Sequence, residues 1–350
     1  MPADKAKGGS RLLDRDLDHT RIKVDLDPAD FGMMAVMLEL LAADAACPVD
    51  LYLPLYSRQT KKPRMELVAQ AGEPFKADWL QRLARAEQTK VYTPLDQAEV
   101  LNAYFDQHAG ELLDRPNMTT RKRTKYIQEL AAANLNALFG GDLSRQGMES
   151  TVTRAHEMVR QMTSDFQILS NVAEVLRSDY SVYSHSINVC MLAMGWGRFW
   201  GMPESRIRAL GVGGMLHDAG KAKLPRYLLS KPGELTSLEM AEMRRHPRLG
   251  YQMLQPISAV SYDVLMIVLH HHENADGTGY PAGLQRDRIP HLARLVRVVD
   301  AYDAMTSNRS FQPALPPAEA AATLLNQMAG QLGQDLVANF IRFLASPYMN

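Results

Sequence analysis

Histidine and aspartate side chains are concentrated in one stretch of this 350-residue chain. Most of its ten histidines fall within about a hundred residues, and several stand beside carboxylates. Imidazole and carboxylate groups together form a donor set for divalent first-row metal ions. The sequence therefore predicts a metal centre with nitrogen and oxygen ligands. The clustered histidines are His185, His217, His246, His270, His271, His272 and His291.

The run Met215–Lys221 places a histidine directly before an aspartate. Adjacent side chains on a helix point about 100° apart. His217 and Asp218 can therefore converge on one metal only if the helix ends or distorts there, and Gly220 is a candidate for ending it. The Asp218 carboxylate has a second oxygen that can bridge to another metal. Lys221 follows one turn after His217 and can present a cation to a phosphate oxygen.

Three adjacent histidines, His270, His271 and His272, follow the apolar segment Val264–Leu269, which we expect to be a helix. Buried imidazoles are costly without partners, and a metal ion would supply one. Asp276-Gly277 and Gly279 come next and indicate a turn-rich loop in which the glycines can adopt positive φ. Further on, Asp300 lies on an apolar helix, with Asp303 one turn away on the same face.

These segments resemble the HD-GYP domain, a subfamily of the HD metallophosphohydrolases that degrades cyclic di-GMP. The resemblance runs from Ser181 to Phe311 and includes the strings HDAGK, KPGELTSLE, HP, HHE-x-x-DG-x-GYP and DAYDAMTS-x-R. It implies an all-helical catalytic domain with two metal ions. One metal would be held by His185, His217, Asp218 and Asp300, and the second by Asp218, His246, His271 and His272.

The resemblance also implies roles for the residues around the metals. Asp218 would bridge the metals, and Asp218 and Lys221 would be the catalytic residues. Lys221, Tyr280 and Arg309 would face the phosphates and bases of the substrate. Supporting residues would shape the loop or orient the ligands; these are Glu273, Asp276, Gly277, Gly279 and Asp303. His270 and His291 are better interpreted as structural or surface residues.

Two positions depart from the family pattern. Ser181 stands where some members carry a glutamate that recruits a third metal, so we expect two metals. Gln312-Pro313 stands where many members have an Arg-Lys pair that helps to bind phosphate. The loss of these cations is expected to weaken substrate affinity or to alter the preference among cyclic dinucleotides.

The rest of the chain predicts a mainly α protein with four regions. Residues 1–20 are expected to form a polar, disordered tail, and residues 21–115 a small α/β accessory domain for sensing or docking. This domain has strands at 50–57, 65–70 and 90–95 and helices at 76–87 and 97–107. Residues 116–176 form connector helices, with candidates at 119–139 and from 144 to about 176, and residues 177–350 form the catalytic domain.

Composition excludes several classes of function. Lys plus Arg equals Asp plus Glu, 39 against 39, so the net charge gives no reason to expect a nucleic-acid polymer or an anionic membrane as partner. Cys47 and Cys190 are too few for a disulfide framework. The polar N-terminus has no apolar signal segment, and no run approaches a membrane span, so we expect a cytoplasmic protein.

The expected function is hydrolysis of cyclic di-GMP to pGpG or GMP by a water that two metals activate. Iron or manganese suits the nitrogen and oxygen ligands, with nickel and zinc as alternatives. Two other hypotheses stay open: the same chemistry on cyclic GMP-AMP, and a non-catalytic receptor or adaptor for cyclic di-GMP. The connector helices could pair two protomers as a homodimer or pack on their own chain, and a diguanylate cyclase is a further candidate partner.

Overall fold

The computed structural model divides the chain into two compact units, Met1–Met118 and Thr119–Asn350. It describes residues 32–38, 41, 43–56, 63–98, 100, 101, 103–105, 107, 143–164, 182–229, 231, 233–307 and 314–346. The predicted tail and the candidate helix at 119–139 lie outside the described residues. So do Ser181, Arg309 and the pair Gln312-Pro313.

The first unit contains a four-stranded antiparallel sheet. Its strands are β1 (Met33–Met37), β2 (Leu51–Tyr56), β3 (Pro63–Ala69) and β4 (Lys90–Pro94), in the spatial order β1-β4-β2-β3. The three strands that the sequence predicts are confirmed as β2, β3 and β4. The sequence does not predict β1, because the continuous apolar run around Met33–Met37 lacks the alternation that distinguishes a strand from a buried helix.

Helix α1 (Ala77–Arg85) packs its apolar side into the core of this unit. Trp79 and Leu83 are fully buried, and the Trp79 ring meets Phe75 edge to face with 5.8 Å between centroids. The described residues between 98 and 107 are also helical, as the sequence predicts. The arrangement agrees with the predicted small α/β unit.

The regular elements in the described part of the second unit are all helices. Its longer helices are α2 (Arg145–Ser164), α3 (Val182–Phe199), α4 (Glu204–Leu216), α7 (His246–Leu254), α8 (Tyr262–His270), α9 (His291–Thr306) and α12 (Gln334–Leu344). Shorter helices are α5 (Arg226–Leu229), α6 (Ser237–Met243), α10 (Pro317–Thr323) and α11 (Ala329–Leu332), with a π-helical turn at Leu324–Met328. The predicted fold class, a mainly α chain with a small sheet before the helical domain, is confirmed.

The centre of the second unit is the packing of α4 against α3, α2 and α8. Glycines on α4 permit this close contact: a Cβ on Gly214 would lie 3.0 Å from the Cα of Cys190 on α3. Gly211 similarly faces Val159 on α2. Helix α2, within the predicted connector region, therefore packs on its own chain. Within the described residues, no helix is both long enough and apolar enough to cross a membrane.

A second close approach brings α7 against the 3-10 helix Ala219–Lys223, which follows α4. A Cβ on Gly220 would clash with the carbonyl oxygen of His246 and the nitrogen of Gly250. Only glycine at position 220 allows the start of α7 to lie this close to the end of α4. This contact places His246 beside Asp218, and the geometry of the site depends on it.

Replacing Gly220 with alanine should therefore push α7 away from the end of α4. We expect Gly220→Ala to lower the free energy of unfolding by at least about 2 kcal/mol, because the clash is with backbone atoms that cannot rotate away. Gly330→Ala is the matched control, since a Cβ at position 330 meets no atom within 4 Å. Chemical denaturation of both variants measures the effect, and equal stabilities would contradict this explanation of Gly220.

Candidate metal centre

His217 and Asp218 lie at a break between two helices. Helix α4 ends at Leu216, His217 is its C-terminal cap, and Asp218 stands at the start of the 3-10 helix with φ −94° and ψ 4°. The predicted end of the helix is thus confirmed, but the role given to Gly220 is wrong. The helix ends at Leu216, four residues before Gly220, and Gly220 instead allows the close approach of α7.

Five segments of the second unit contribute imidazoles and carboxylates to one buried cluster. His185 comes from α3, His217 and Asp218 from the turn after α4, and His246 from the first residue of α7. His271 and His272 directly follow α8, and Asp300 lies in the middle of α9. All seven predicted ligand residues are brought together, and all are buried except His272, which is partly exposed.

The Asp218 carboxylate occupies the centre of the cluster. Its Oδ1 lies 3.2 Å from His246 Nε2 and 3.9 Å from His271 Nε2. Its Oδ2 lies 3.3 Å from His217 Nε2 and 3.9 Å from His185 Nε2. The two oxygens therefore face different imidazoles, as a bridging carboxylate requires.

Asp300 provides the second carboxylate of the cluster. Its Oδ1 lies 3.2 Å from His185 Nε2, and its Oδ2 lies 3.8 Å from His272 Nδ1. On the far side of the His185 ring, Nδ1 donates a hydrogen bond to Asp303 Oδ2 at 2.7 Å. Asp303 also accepts from Asn188 Nδ2 at 2.9 Å, so it is itself held in place. Asp303 therefore orients His185 and lies outside the donor cluster.

Backbone carbonyl groups orient three further imidazoles. Nδ1 lies 2.7 Å from Gly214 O in His217, 2.8 Å from Met243 O in His246 and 2.9 Å from Val268 O in His271. A carbonyl oxygen only accepts, so each Nδ1 must carry the proton. In the neutral ring, each Nε2 then presents a lone pair to the centre of the cluster.

Several of the inward-facing atoms lack a hydrogen-bond partner in the described part of the chain. His217 Nε2 and Asp218 Oδ1 are buried and accept no hydrogen bond. His246 Nε2 and His271 Nε2 lie 3.2 Å apart, although both are acceptors in the tautomers that the carbonyls impose. Buried acceptors that face one another are unfavourable unless a cation lies between them. The donor set therefore fits a bound metal.

The donor atoms form two adjoining groups. One ligand atom from each member of a group lies within 4.8 Å of the others. The groups are Asp218 with His246, His271 and His272, and His185 with His217 and Asp300. Because Asp218 Oδ2 also faces His217 and His185, one carboxylate adjoins both groups.

Burial and neighbouring charges set the protonation of the cluster. Burial, and then the neighbouring imidazoles, hold the pKa of His271 well below its usual range, and burial lowers the pKa of His246 to about 4. Burial would raise the pKa of Asp218, but Lys221 and His217 outweigh it and hold that pKa well below the usual range. His246 and His271 are therefore neutral beside an ionised Asp218, which is the protonation state that a divalent metal requires. At His185, burial lowers the pKa, but Asp300 and Asp303 outweigh it and raise that pKa to about 10, so a metal would replace a proton on this imidazole.

The loop after His272 is fastened from inside by Glu273. This buried carboxylate accepts hydrogen bonds from the backbone nitrogens of Ala282 and Leu284 at 2.7 and 2.9 Å. Gly277 has the predicted positive φ, +84°. Gly279 does not have a positive φ, and glycine is needed there because a Cβ would clash with the nitrogen of Asn274.

Asp276 lies in the exposed part of the same loop. Its Oδ1 accepts hydrogen bonds from the backbone nitrogen of Thr278 at 3.0 Å and from the Thr278 hydroxyl at 2.7 Å. Such local bonds from an aspartate to the residue two positions on are typical of tight turns. Asp276 therefore stabilises the turn and lies outside the donor cluster.

Cations and an aromatic ring surround the cluster. Lys221 Nζ donates to Asp218 Oδ2 at 2.5 Å, and the Tyr280 ring stacks on His272 with 4.7 Å between centroids. The Arg244 guanidinium lies over the Tyr280 ring, 5.4 Å from its centroid. Arg297 donates to Asn274 and approaches Asp300. The sequence motifs do not identify Arg244 or Arg297 as site residues. For Arg297, the sequence does offer one signal, because it is a charged residue on an apolar helix one turn before Asp300.

The two remaining clustered histidines stay outside both donor groups. His270 Nδ1 lies 3.7 Å from Glu273 Oε1, and the His291 ring packs against Trp200 at 5.5 Å. These surroundings agree with the structural interpretation of both residues. The third predicted substrate contact, Arg309, lies outside the described residues.

Comparison with known protein families assigns this part of the chain. Residues 167–336 match the family model described as HD domain. This span includes every member of the two donor groups. Residues 167–336 are therefore assigned as an HD domain, in agreement with the resemblance to the HD-GYP domain.

Curated proteins and a solved structure are similar to this HD domain. A cyclic di-GMP phosphodiesterase of Pseudomonas aeruginosa is 38% identical over 51% of this chain and 44% of its own length. The response regulator RpfG of Xanthomonas campestris, named as a cyclic di-GMP phosphodiesterase, is 44% identical over 33% of this chain and 30% of its own. A 3′3′-cGAMP-specific phosphodiesterase of Vibrio cholerae is 33% identical over 37% of this chain and 25% of its own length.

The fold has a counterpart among solved structures. An HDGYP protein from Bdellovibrio bacteriovorus superposes with a TM-score of 0.63, covering 90% of this chain and 100% of that one at 22% identity. Similarity at this identity supports the fold. The aligned regions span less than half the length of the curated relatives from Pseudomonas, Xanthomonas and Vibrio described above.

The support that Asp303 gives to His185 in the HD domain can be tested. We expect Asp303→Asn to weaken metal affinity about ten- to hundredfold, because a neutral amide orients the ring less firmly and lowers its basicity. Asp335→Asn, which removes a surface carboxylate paired with Arg286, is the matched control. Metal titration of the apoproteins measures both affinities. An unchanged affinity in Asp303→Asn would show that the hydrogen bond has no such role.

Proposed function

We propose that the HD domain holds two divalent metal ions and hydrolyses cyclic di-GMP. The observation that carries the proposal is the buried Asp218 carboxylate between two groups of donors, with each oxygen facing a different set of imidazoles. The names of the relatives from Pseudomonas and Xanthomonas support the choice of substrate. The products are pGpG or GMP, according to whether one or both diester bonds are cut.

Seven side chains would hold the metals. His185, His217 and Asp300 would bind one ion, and His246, His271 and His272 the other, with Asp218 shared. Two metals in this position would activate a water for attack on phosphorus and stabilise the charge that develops on the phosphate. Iron or manganese suits this set of imidazoles and carboxylates, with nickel and zinc as alternatives.

Other residues would act on the substrate directly. The Lys221 amino group is partly exposed and donates to Asp218 Oδ2. When Asp218 is engaged by metals, Lys221 can donate to a phosphate oxygen instead. Burial raises the pKa of Tyr280, and the negative charges of Asp218 and Asp300 raise it further. The phenol therefore keeps its proton at neutral pH and can donate a hydrogen bond. Glu273 and Gly279 would keep Tyr280 in place through the loop.

The roles of the other regions remain predictions. The α/β unit would serve as an accessory domain for sensing or docking. The proposed boundaries are 21–115 for this domain, 116–176 for the connector helices and 177–350 for the catalytic domain. A homodimer, a diguanylate cyclase partner and the role of Arg309 also stay predictions.

Removing the shared carboxylate tests the proposed centre. We expect Asp218→Asn to lose more than half of the bound metal and to lower the turnover of cyclic di-GMP by more than about a hundredfold, since even the partners of metal ligands contribute ten- to hundredfold. Asp263→Asn, at the exposed start of α8, is the control. Elemental analysis and nucleotide chromatography of iron- and manganese-loaded protein give the two readouts. Full activity in Asp218→Asn would contradict the proposal.

The Vibrio relative named for 3′3′-cGAMP gives a specific reason to test a second substrate. We expect the metal-loaded wild type to cleave cyclic di-GMP with a higher kcat/KM than 3′3′-cGAMP. Parallel assays under the same metal load measure the ratio. A higher kcat/KM for 3′3′-cGAMP would favour the alternative substrate, whereas tight binding of cyclic di-GMP with no cleavage by fully loaded protein would favour a receptor.

A further inference from the structure

Arg297 brings a positive charge to the edge of the metal centre from inside an apolar helix. It lies one turn before Asp300 on α9, and only 17% of its side chain is exposed. Its neighbours on the helix, Val296 and Val298, are fully buried. A guanidinium in such a place is costly unless its donors have acceptors. The contacts of this side chain therefore indicate what it is there to bind.

One of the guanidinium nitrogens has a fixed partner. Nε donates a hydrogen bond at 3.1 Å to Oδ1 of Asn274, in the loop that carries Tyr280. The nearest carboxylate oxygen, Asp300 Oδ2, lies 3.8 Å from a terminal nitrogen, which is too long for a hydrogen bond. Asn274 thus sets the direction of the guanidinium, and Asp300 provides only electrostatic attraction.

The two terminal nitrogens keep donors available. Neither makes a hydrogen bond within the described part of the chain, and neither is among its fully buried unpartnered atoms. They are therefore accessible to a ligand in the site. Two parallel N–H groups match the oxygens of a phosphate in a bidentate arrangement.

Lys221 and Arg297 lie beside different carboxylates of the cluster. Lys221 Nζ contacts Asp218, whereas the nearest carboxylate to Arg297 is Asp300. Metals bound by both carboxylates would take up their negative charge and leave both cations in need of an anion. A cyclic dinucleotide supplies two phosphates on one rigid ring, which matches the number of cations.

We infer that Arg297 binds the phosphate of the cyclic dinucleotide that is not being cleaved, while Lys221 and the metals act on the reacting phosphate. The inference rests on the proposed function. It makes Arg297 a specificity-determining residue that favours cyclic dinucleotides over diesters with a single phosphate, and it makes Asn274 its positioning residue.

The test compares two diesters on the same metal-loaded protein. Arg297→Gln should raise the KM for cyclic di-GMP about ten- to hundredfold, the usual effect of losing hydrogen bonds to a charged group. Its kcat/KM for bis(p-nitrophenyl) phosphate, which has one phosphate, and its metal content should stay at the wild-type values. Arg286→Gln, which removes an exposed arginine from the same unit, should leave the kinetic constants for both diesters unchanged.

Asn274→Ala tests the positioning step. It should raise the KM for cyclic di-GMP by a smaller factor, about three- to tenfold, and leave kcat unchanged, because the guanidinium is retained but less firmly directed. A fall in kcat with unchanged KM would show that Asn274 acts on the metal centre or the loop, which would overturn its assigned role.

Other outcomes would overturn the role of Arg297. Parallel losses on both diesters, or a loss of metal in Arg297→Gln, would show that Arg297 supports Asp300. Equal KM values in wild type and variant would show that it does not contact the substrate.

Failure of the proposed function has a different signature. A fully loaded wild type that cleaves neither diester would contradict the proposed function itself. The binding affinity for cyclic di-GMP would then decide the inference: a ten- to hundredfold weaker affinity in Arg297→Gln supports it, and equal affinities overturn it.

Discussion

The burial of one ionised carboxylate among imidazole nitrogens is the constraint on which the HD domain depends. Asp218 is almost completely removed from solvent, yet the adjacent Lys221 ammonium keeps it ionised. Carbonyl oxygens fix the Nδ1 protons of His217, His246 and His271, so that their other nitrogens present lone pairs to this carboxylate. Acceptors gathered in this way are mutually repulsive, and divalent cations would turn that repulsion into coordination.

Assembling such a cluster requires backbones to approach one another more closely than side chains normally permit. Gly220 lets α7 lie against the end of α4, Gly214 lets α4 lie against α3, and Gly279 folds the following loop onto Asn274. Glu273 then closes that loop with two backbone hydrogen bonds. The ligands are thus positioned by contacts between elements, which explains why residues far apart in the chain meet with little exposed surface between them.

The types and spacing of residues are enough to predict the helical domain and to name the seven imidazole and carboxylate residues that the structure brings together. A motif such as His217-Asp218 carries its chemistry in adjacent letters, and the apolar run before His271 indicates its helix. Other features depend on packing that has no local signal. β1 has no alternation, Gly220 and Gly279 act through distant backbone atoms, and Arg297 acquires its significance only from Asn274, 23 residues earlier in the chain.

The central claim is that the cluster holds two divalent metals on either side of Asp218. Anomalous diffraction from crystals of the full chain grown with iron or manganese, collected at the absorption edge of the metal supplied, tests it directly. Two peaks are predicted, one among His246, His271 and His272 and one beside His185, His217 and Asp300. A single peak, or no peak at full metal supply, would contradict the account.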